Sequence, residues 1–382
     1  MRTPERTLER SLERTPEQRE LGAAVRSVLA RHPGAAAWAP LTGRVGAAAL
    51  AVPEEYGGLG CGSAEVGVVM DALGGALSPV PYLGSAVLTV GALVAAGDAR
   101  ACALLLPDLA EGTAAGALAW AERGSWEPSA LRTRAVRDPA RGWLLTGAKE
   151  YVLPGSGPGV PEVVLVFARS GAGAGPGDGG AGAGPGVGGA LSLFRLAGPP
   201  AAWRIRSTMD PSRPLAELAL DRTPAALVGA EGDGERILAR VRDLGVTALA
   251  AEQVGAAARA LEVTVGYAKQ RVQFGRPIGS FQAVKHRLAD MYAAVENARG
   301  LALAAAAADA APDPAAAAGS ACGEAYSWVA GEMIQLHGGI GITWEHEAHR
   351  FFKRAHGAAR LFGGPAAHRE RLAARLGPTG AR

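Results

Sequence analysis

The chain has 382 residues, 48% hydrophobic and 20% charged, with a formal net charge of +3. That length and apolar content suffice for a buried core and two or three domains. The near-neutral balance, without a Lys/Arg block or a basic stripe with interleaved aromatics, argues against a nucleic-acid partner. Three cysteines, Cys61, Cys102 and Cys322, are widely spaced and never C-x-x-C, which argues against a disulfide scaffold or zinc ribbon and fits a reducing cytoplasm.

Residues 1–14 carry charges throughout and no apolar h-region, so they read as a solvated extension rather than a targeting signal. Apolar stretches such as "ALLLPDLA" are short and interrupted, so no membrane span is expected. At Thr15, "TPEQREL" has an N-cap residue, Pro at the first helical position and an acidic first turn. Residues 15–116 read as a helical domain, with a turn-rich loop at "VPEEYGGLGCGS" (Val52–Ser63). Residues 117–232 read as a β domain, with "WLLTGAKEYVL", "EVVLVFAR" and "LSLFRL" as its clearest strands. Within it, residues 171–190 are Gly-rich and of low complexity, with almost nothing to bury, and are expected to form a flexible loop between two strands. Residues 233–382 are helical again, starting with a very long Ala- and Val-rich helix that should be buried. Helices, then strands, then a helical bundle define an α+β order with segregated elements.

Four stretches carry more than layout: "VPEEYGGLG", "GWLLTGAKEYV", "YAKQRVQFGRPIGSFQAVKHRLADM" and "QLHGGIGIT". Together they resemble the signatures of the acyl-CoA dehydrogenase family, and the resemblance covers nearly the whole chain after Thr15. It implies an N-terminal helical domain, a middle β-barrel and a C-terminal domain of four-helix-bundle type. It also implies FAD and the α,β-dehydrogenation of an acyl thioester such as an acyl-CoA, in which a base removes the α proton and hydride leaves the β carbon for the flavin. By the same resemblance, Arg271, Gln273 and Phe274 lie on a turn that meets FAD across a subunit interface, with Gln282 nearby. Gln335, Gly338 and Gly339 would let backbone approach the cofactor. A guanidinium fork suits the pyrophosphate. Ser125 is expected to keep a phosphate contact and Tyr151 to stack on the ring. A homo- or hetero-oligomer is implied, with electron-transfer flavoprotein or another electron acceptor as a further partner. "GGIGIT" lacks the G-x-G-x-x-G spacing and preceding strand of a dinucleotide fingerprint.

The departures from the family pattern concern the chemistry itself. The usual base, a Glu after "QLHGGIGIT", falls on Phe362 or Gly363. The alternative base position on the first long C-terminal helix falls on Gly245, and the Arg often beside it on Val246. None of these removes a proton. Asp243 and Glu252 are the weak substitutes. Asp243, two residues from Gly245, projects about 200° away on a helix; the alternative for it is a solvated surface residue. Two Thr positions near the flavin become Ala121 and Leu153, while Glu122 is kept. In "WEHEAHR", His346 and His349 are not spaced as H-E-x-x-H, and a charged helix face is expected there rather than a metal site. His337 and His356 are expected to be structural or interfacial.

Three functions compete on this reading. The first is a subunit of a heteromeric acyl-CoA dehydrogenase whose partner supplies the base. The second is a self-sufficient dehydrogenase of an acyl-CoA or carrier-bound acyl group, with an unfamiliar base. The third is a non-redox acyl-thioester-binding or scaffold subunit. Fold alone does not choose between them.

Overall fold

The computed structural model describes residues 13–155, 159–171 and 189–377. Most of the extension expected at residues 1–14, and nearly all of the Gly-rich loop, fall outside the described residues.

Helix α1 (Pro16–Arg31) starts as the sequence dictates. The Thr15 hydroxyl accepts from the Gln18 N–H at 3.2 Å, and the Gln18 side chain accepts from the Thr15 N–H at 3.1 Å. This capping box satisfies two otherwise unpaired donors. A short α2 (Trp38–Gly43) follows, then α3 (Ser63–Gly75). Residues Leu83–Thr89 form a π-helical stretch that runs into α4 (Val90–Ala96), and α5 (Ala99–Glu111) is capped by Asp98 and tolerates Pro107 in its interior. The π-helical stretch is not visible in the apolar periodicity.

Seven strands follow: β1 (Gly116–Ala119), β2 (Arg134–Asp138), β3 (Gly142–Val152), β4 (Val163–Ser170), β5 (Ala190–Leu196), β6 (Ala202–Arg206) and β7 (Leu215–Val228). Strand β4 pairs with β2, β2 with β3, β3 with β7, β7 with β5, and β5 returns to β4. The circuit closes, so the middle unit is the expected β-barrel. Its interior is filled by residues such as Leu145, Val166, Phe194 and Leu218.

The C-terminal helices are α6 (Gly234–Gln270), α7 (Gln282–Ala307), α8 (Pro312–His337), α9 (Ala348–Ala358) and α10 (Pro365–Leu376). A small hairpin of β8 (Val272–Gln273) and β9 (Arg276–Pro277) joins α6 to α7. Glycines set how near α3 comes to α6. A Cβ at Gly74 would stand 2.0 Å from the Glu252 carbonyl oxygen, and one at Gly255 would stand 2.0 Å from that of Asp71. Only Gly permits this mutual backbone contact.

A buried ion cluster locks the three units together. Arg354 of α9 meets Asp210 at 2.6 Å and Glu252 of α6 at 2.9 Å, and donates to the Ser78 and Ser212 carbonyls at 3.2 Å each. Arg213, beside the start of β7, pairs with the other oxygen of Glu252. No single segment of sequence reveals this cluster, because its members lie up to 276 residues apart (Ser78 to Arg354).

Candidate active site and cofactor-binding surface

The hairpin after α6 turns at Phe274 (φ +53°) and Gly275 (φ +76°), the pair of left-handed residues that a two-residue hairpin requires. Phe274 is 92% exposed, and Arg271, Gln273 and Gln282 are exposed beside it. At the end of α8, Gln335, Gly338 and Gly339 are also exposed, and a Cβ at either glycine would meet nothing within 4 Å. Tyr267 and His337 link the two segments. Their rings stack with centroids 4.3 Å apart, and the Tyr267 hydroxyl lies 3.4 Å from the His337 carbonyl. Thus the structure brings the Arg271 turn and the Gly338 turn to one end of the helical bundle. It leaves their polar side chains on the surface. These residues fit a diphosphate and an aminopurine ring in donor chemistry and in open space.

Ser125 and Tyr151 lie elsewhere, on the barrel. Glu122 and Ser125 bridge a tight turn through Arg123 (φ +56°) and Gly124 (φ +73°). The Ser125 hydroxyl accepts from the Glu127 N–H at 3.1 Å. Tyr151 has φ +55° and sits where β3 slips register against β7, a bulge that turns its ring outward. Trp126 stacks on it at 5.6 Å.

Gly245 and Phe362, at the positions where the resemblance implies a base, meet in space. A Cβ at Gly245 would stand 3.2 Å from Cε2 of Phe362 and 2.8 Å from Cδ2 of Leu88. Phe362 is 2% exposed, holds φ +60°, and stacks on Trp120 at 5.6 Å. Trp126 closes on Phe362 edge-to-face at 5.2 Å and on Trp120 at 5.0 Å. Side chains therefore fill the space above Gly245. A non-glycine residue in the left-handed region is strained by about 1–3 kcal/mol and persists only where its surroundings over-determine it; here the two tryptophans do so. The sequence reading did not include Trp120 and Trp126 among the site residues, although "WAERGSW" places the two six residues apart.

Neither weak acid candidate is free to act. Asp243 is not a solvated helix residue: it is 4% exposed and is ion-paired with Arg371 of α10. Its 200° offset from Gly245 aims it at α10. Glu252 has one oxygen on Arg213 and the other on Arg354. Beside Arg371, His368 is buried, and burial together with Arg371 and Arg242 pushes its pKa down to about 4.

The retained Glu122 is a structural acid. It accepts from the Arg132 and Thr133 N–H groups, from the Thr133 hydroxyl at 2.7 Å, and from Lys149 at 2.6 Å. Burial opposes its charge, but Lys149 and these donors hold its carboxyl below the ordinary range. Burial pushes Lys149 down to about 8 against the pull of Glu122.

In the "WEHEAHR" segment Trp344 is 81% exposed, and the His346 ring accepts from the N–H of Ala348, the first residue of α9, at 3.1 Å. The His346 ring also packs at 4.3 Å on His337, which is buried and donates through Nδ1–H to the Met333 carbonyl at 2.7 Å. No cluster of three or more His, Cys, Asp or Glu that could hold a metal occurs among the described residues. His356 packs on Phe352 at 4.1 Å. No described helix is long and apolar enough to cross a membrane.

Comparison with known proteins bears on the whole chain. Residues 15–113 match the family described as acyl-CoA dehydrogenase, N-terminal domain, and residues 232–377 match acyl-CoA dehydrogenase, C-terminal domain. Acyl-CoA dehydrogenase IpdE2 of Mycobacterium tuberculosis is 39% identical over 372 residues, covering 92% of this chain and 94% of that protein. Its namesake in Mycolicibacterium smegmatis is 35% identical over 354 residues, covering 93% and 91%. Among solved structures, the ChsE4-ChsE5 complex from Mycobacterium tuberculosis aligns with a TM-score of 0.80 and 28% identity, over 97% of this chain and 100% of that one. With the helical–barrel–helical fold and these matches at both ends, the chain belongs to the acyl-CoA dehydrogenase family, oxidoreductases that act on CH–CH groups.

Proposed function

We propose that this chain is the base-less subunit of a heteromeric FAD-linked acyl-CoA dehydrogenase, and that a second family member supplies the catalytic base. The packing of Phe362 over Gly245 carries this reading. Both base positions are occupied by residues that cannot take a proton, and the space where an acyl chain would meet them is filled by Phe362, Trp120 and Trp126. Asp243 and Glu252 are committed to arginines, which weighs against a self-sufficient enzyme using either of them.

The exposed hairpin supports the second half of the reading. A helix rises 1.5 Å per residue, so Arg271 lies roughly 39 Å along α6 from Gly245. Arg271, Gln273, Phe274 and Gln282, with Gln335, Gly338 and Gly339, would then hold the cofactor's diphosphate and adenine end for a site centred on the partner. FAD held there would supply a hydride acceptor for the dehydrogenation. This chain's own residues hold the cofactor from outside and exclude water from the interface. Ser125 and Tyr151, on this chain's barrel beside the aromatic cluster, are the weaker members of the set. Relatives solved as a two-chain complex support an assembly of this kind. Electron-transfer flavoprotein is one acceptor for the electrons.

The test is the visible flavin spectrum and mass of the chain, purified alone and co-expressed with a family member that carries the Glu. A colourless chain that turns yellow and gains mass only with the partner supports the reading. A yellow homo-oligomer that turns over acyl-CoA alone overturns it in favour of the self-sufficient enzyme. A colourless result in both preparations points to the non-redox acyl-binding subunit.

A further inference from the structure

A cavity of about 350 Å³ opens between the Gly60–Ser63 loop, the α4 helix and the N-terminal half of α6. None of Trp120, Trp126, Tyr151 or Phe362 lines it, so it is separate from the aromatic cluster. Its walls are apolar and come from Val66, Val87, Val94, Leu244 and Ala248. That volume lies within the range of small-molecule sites, which are mainly apolar with a few placed polar groups.

The polar groups are gathered on the exposed side. Asp309 and Ala310, at the turn after α7, both take left-handed backbone angles (φ +47° and +55°) although neither is glycine. The Asp309 carboxylate accepts from the Ser63 hydroxyl at 2.8 Å and from its N–H at 3.2 Å. Arg240 of α6 donates to the other Asp309 oxygen at 2.7 Å and to the Asp309 carbonyl at 2.6 Å. A strained turn is thus pinned by α3 and α6 at the rim. Strain of this kind concentrates at binding sites. In the wall behind, the buried Thr247 hydroxyl has no hydrogen-bond partner.

We propose that this cavity binds a neutral, mainly apolar alcohol of about ten heavy atoms, aliphatic or alicyclic, with its hydroxyl at the Arg240–Asp309–Ser63 rim. A hydroxyl both donates and accepts, so it can donate to the Asp309 carboxylate or the Ser63 hydroxyl oxygen while accepting from the Arg240 guanidinium. A carboxylate at the same place faces Asp309, and an ammonium faces Arg240. The rim charges cancel, so it selects neither ion. The inference does not depend on the heteromeric reading.

Cys61 supplies the readout, because it lines the cavity and is half-buried, whereas Cys102 and Cys322 are buried. The rate of thiol labelling of Cys61 is measured on the full chain, alone and in complex, with octan-1-ol, octanoate and octylammonium as probes. Octan-1-ol is expected to slow labelling saturably, with an apparent affinity at least about fivefold tighter than either ion, the worth of roughly one net hydrogen bond. Ala95→Phe, which fills the cavity from its half-exposed wall, is expected to abolish the octanol effect while the circular dichroism spectrum stays unchanged. If that variant fails to fold, Ala51→Leu fills the cavity from another wall. The proposal is overturned if octan-1-ol gives no saturable protection, if the three probes protect equally, or if octanol still protects Cys61 in a folded, filled variant.

Discussion

Gly245 of α6 lies beneath the ring of Phe362, close enough that a single added Cβ would stand 3.2 Å from Cε2. Gly245 and Phe362, the positions where the family resemblance implies a catalytic acid, are therefore one packing unit in this chain. Replacing Gly245 with Ala gains about 1 kcal/mol of helix propensity but overpacks the site by about 1–3 kcal/mol. The expected result is a net loss of stability. Leu88 Cδ2, at 2.8 Å, is the tighter of the two contacts such a Cβ meets, so Phe362→Leu in the same chain should relieve only the Phe362 share of the overpacking, and the double variant loses at least about 0.5 kcal/mol less than the two single losses added together. Urea unfolding of all four proteins measures this, and strict additivity would show that the two residues do not share the space.

Arg354 is the centre of the ion cluster that joins the barrel to the helical bundle. Arg354→Met leaves Asp210 and Glu252 buried with one cation fewer. Breaking a buried pair by removing one partner costs about 3–5 kcal/mol. A drop in the urea midpoint of that size, with an unchanged slope, is expected. A loss below about 1 kcal/mol would mean that water or Arg213 takes over.

His368 gives the fold a defined acid sensitivity. Its folded pKa, pushed to about 4 by burial and by Arg371 and Arg242, lies below the ordinary value of 6.5. The unfolded chain then binds the proton more readily. This contribution is fully present above pH 6.5 and is lost as the pH falls from 6.5 towards 4, to an extent on the order of 3 kcal/mol. His368→Gln should flatten the stability profile in that window and leave its slope above pH 7 unchanged. An identical slope in both proteins between pH 6.5 and 4 would refute the assignment.

Arg271 is exposed and distant from the core, so Arg271→Ala should shift stability by less than about 0.5 kcal/mol. In the co-purified complex it should lower the flavin content several-fold. Full flavin with the variant would remove Arg271 from the proposed cofactor surface. A large loss of stability would show that the hairpin is structural.

The aromatic cluster makes a separate prediction. Trp126→Ala removes one ring from Phe362 and one from Tyr151 and should raise the fluorescence quenching of Trp120 by small quenchers, because the cluster is what seals it. Unchanged quenching would mean that the cluster does not close the space above Gly245.

The sequence by itself determined the layered order of helices, strands and helices. It also located the Arg271 and Gly338 turns and showed that no acid stands at 245, 362 or 363. Those features are local: capping residues, alternation, Gly-rich turns and residue identity at a position. It read Asp243 as a solvated helix residue or a weak base because helical spacing says nothing about α10 arriving with Arg371. Glu252 was left as a second weak candidate because Arg213 and Arg354 lie 39 and 102 residues away in sequence. Only the tertiary structure decided that Gly245, Phe362, Trp120 and Trp126 occupy one space, since the four come from α6, the turn before α10 and the loop after β1. Periodicity fixes which face of an element is apolar. Which face it meets is decided by packing, where close contact excludes every arrangement but one.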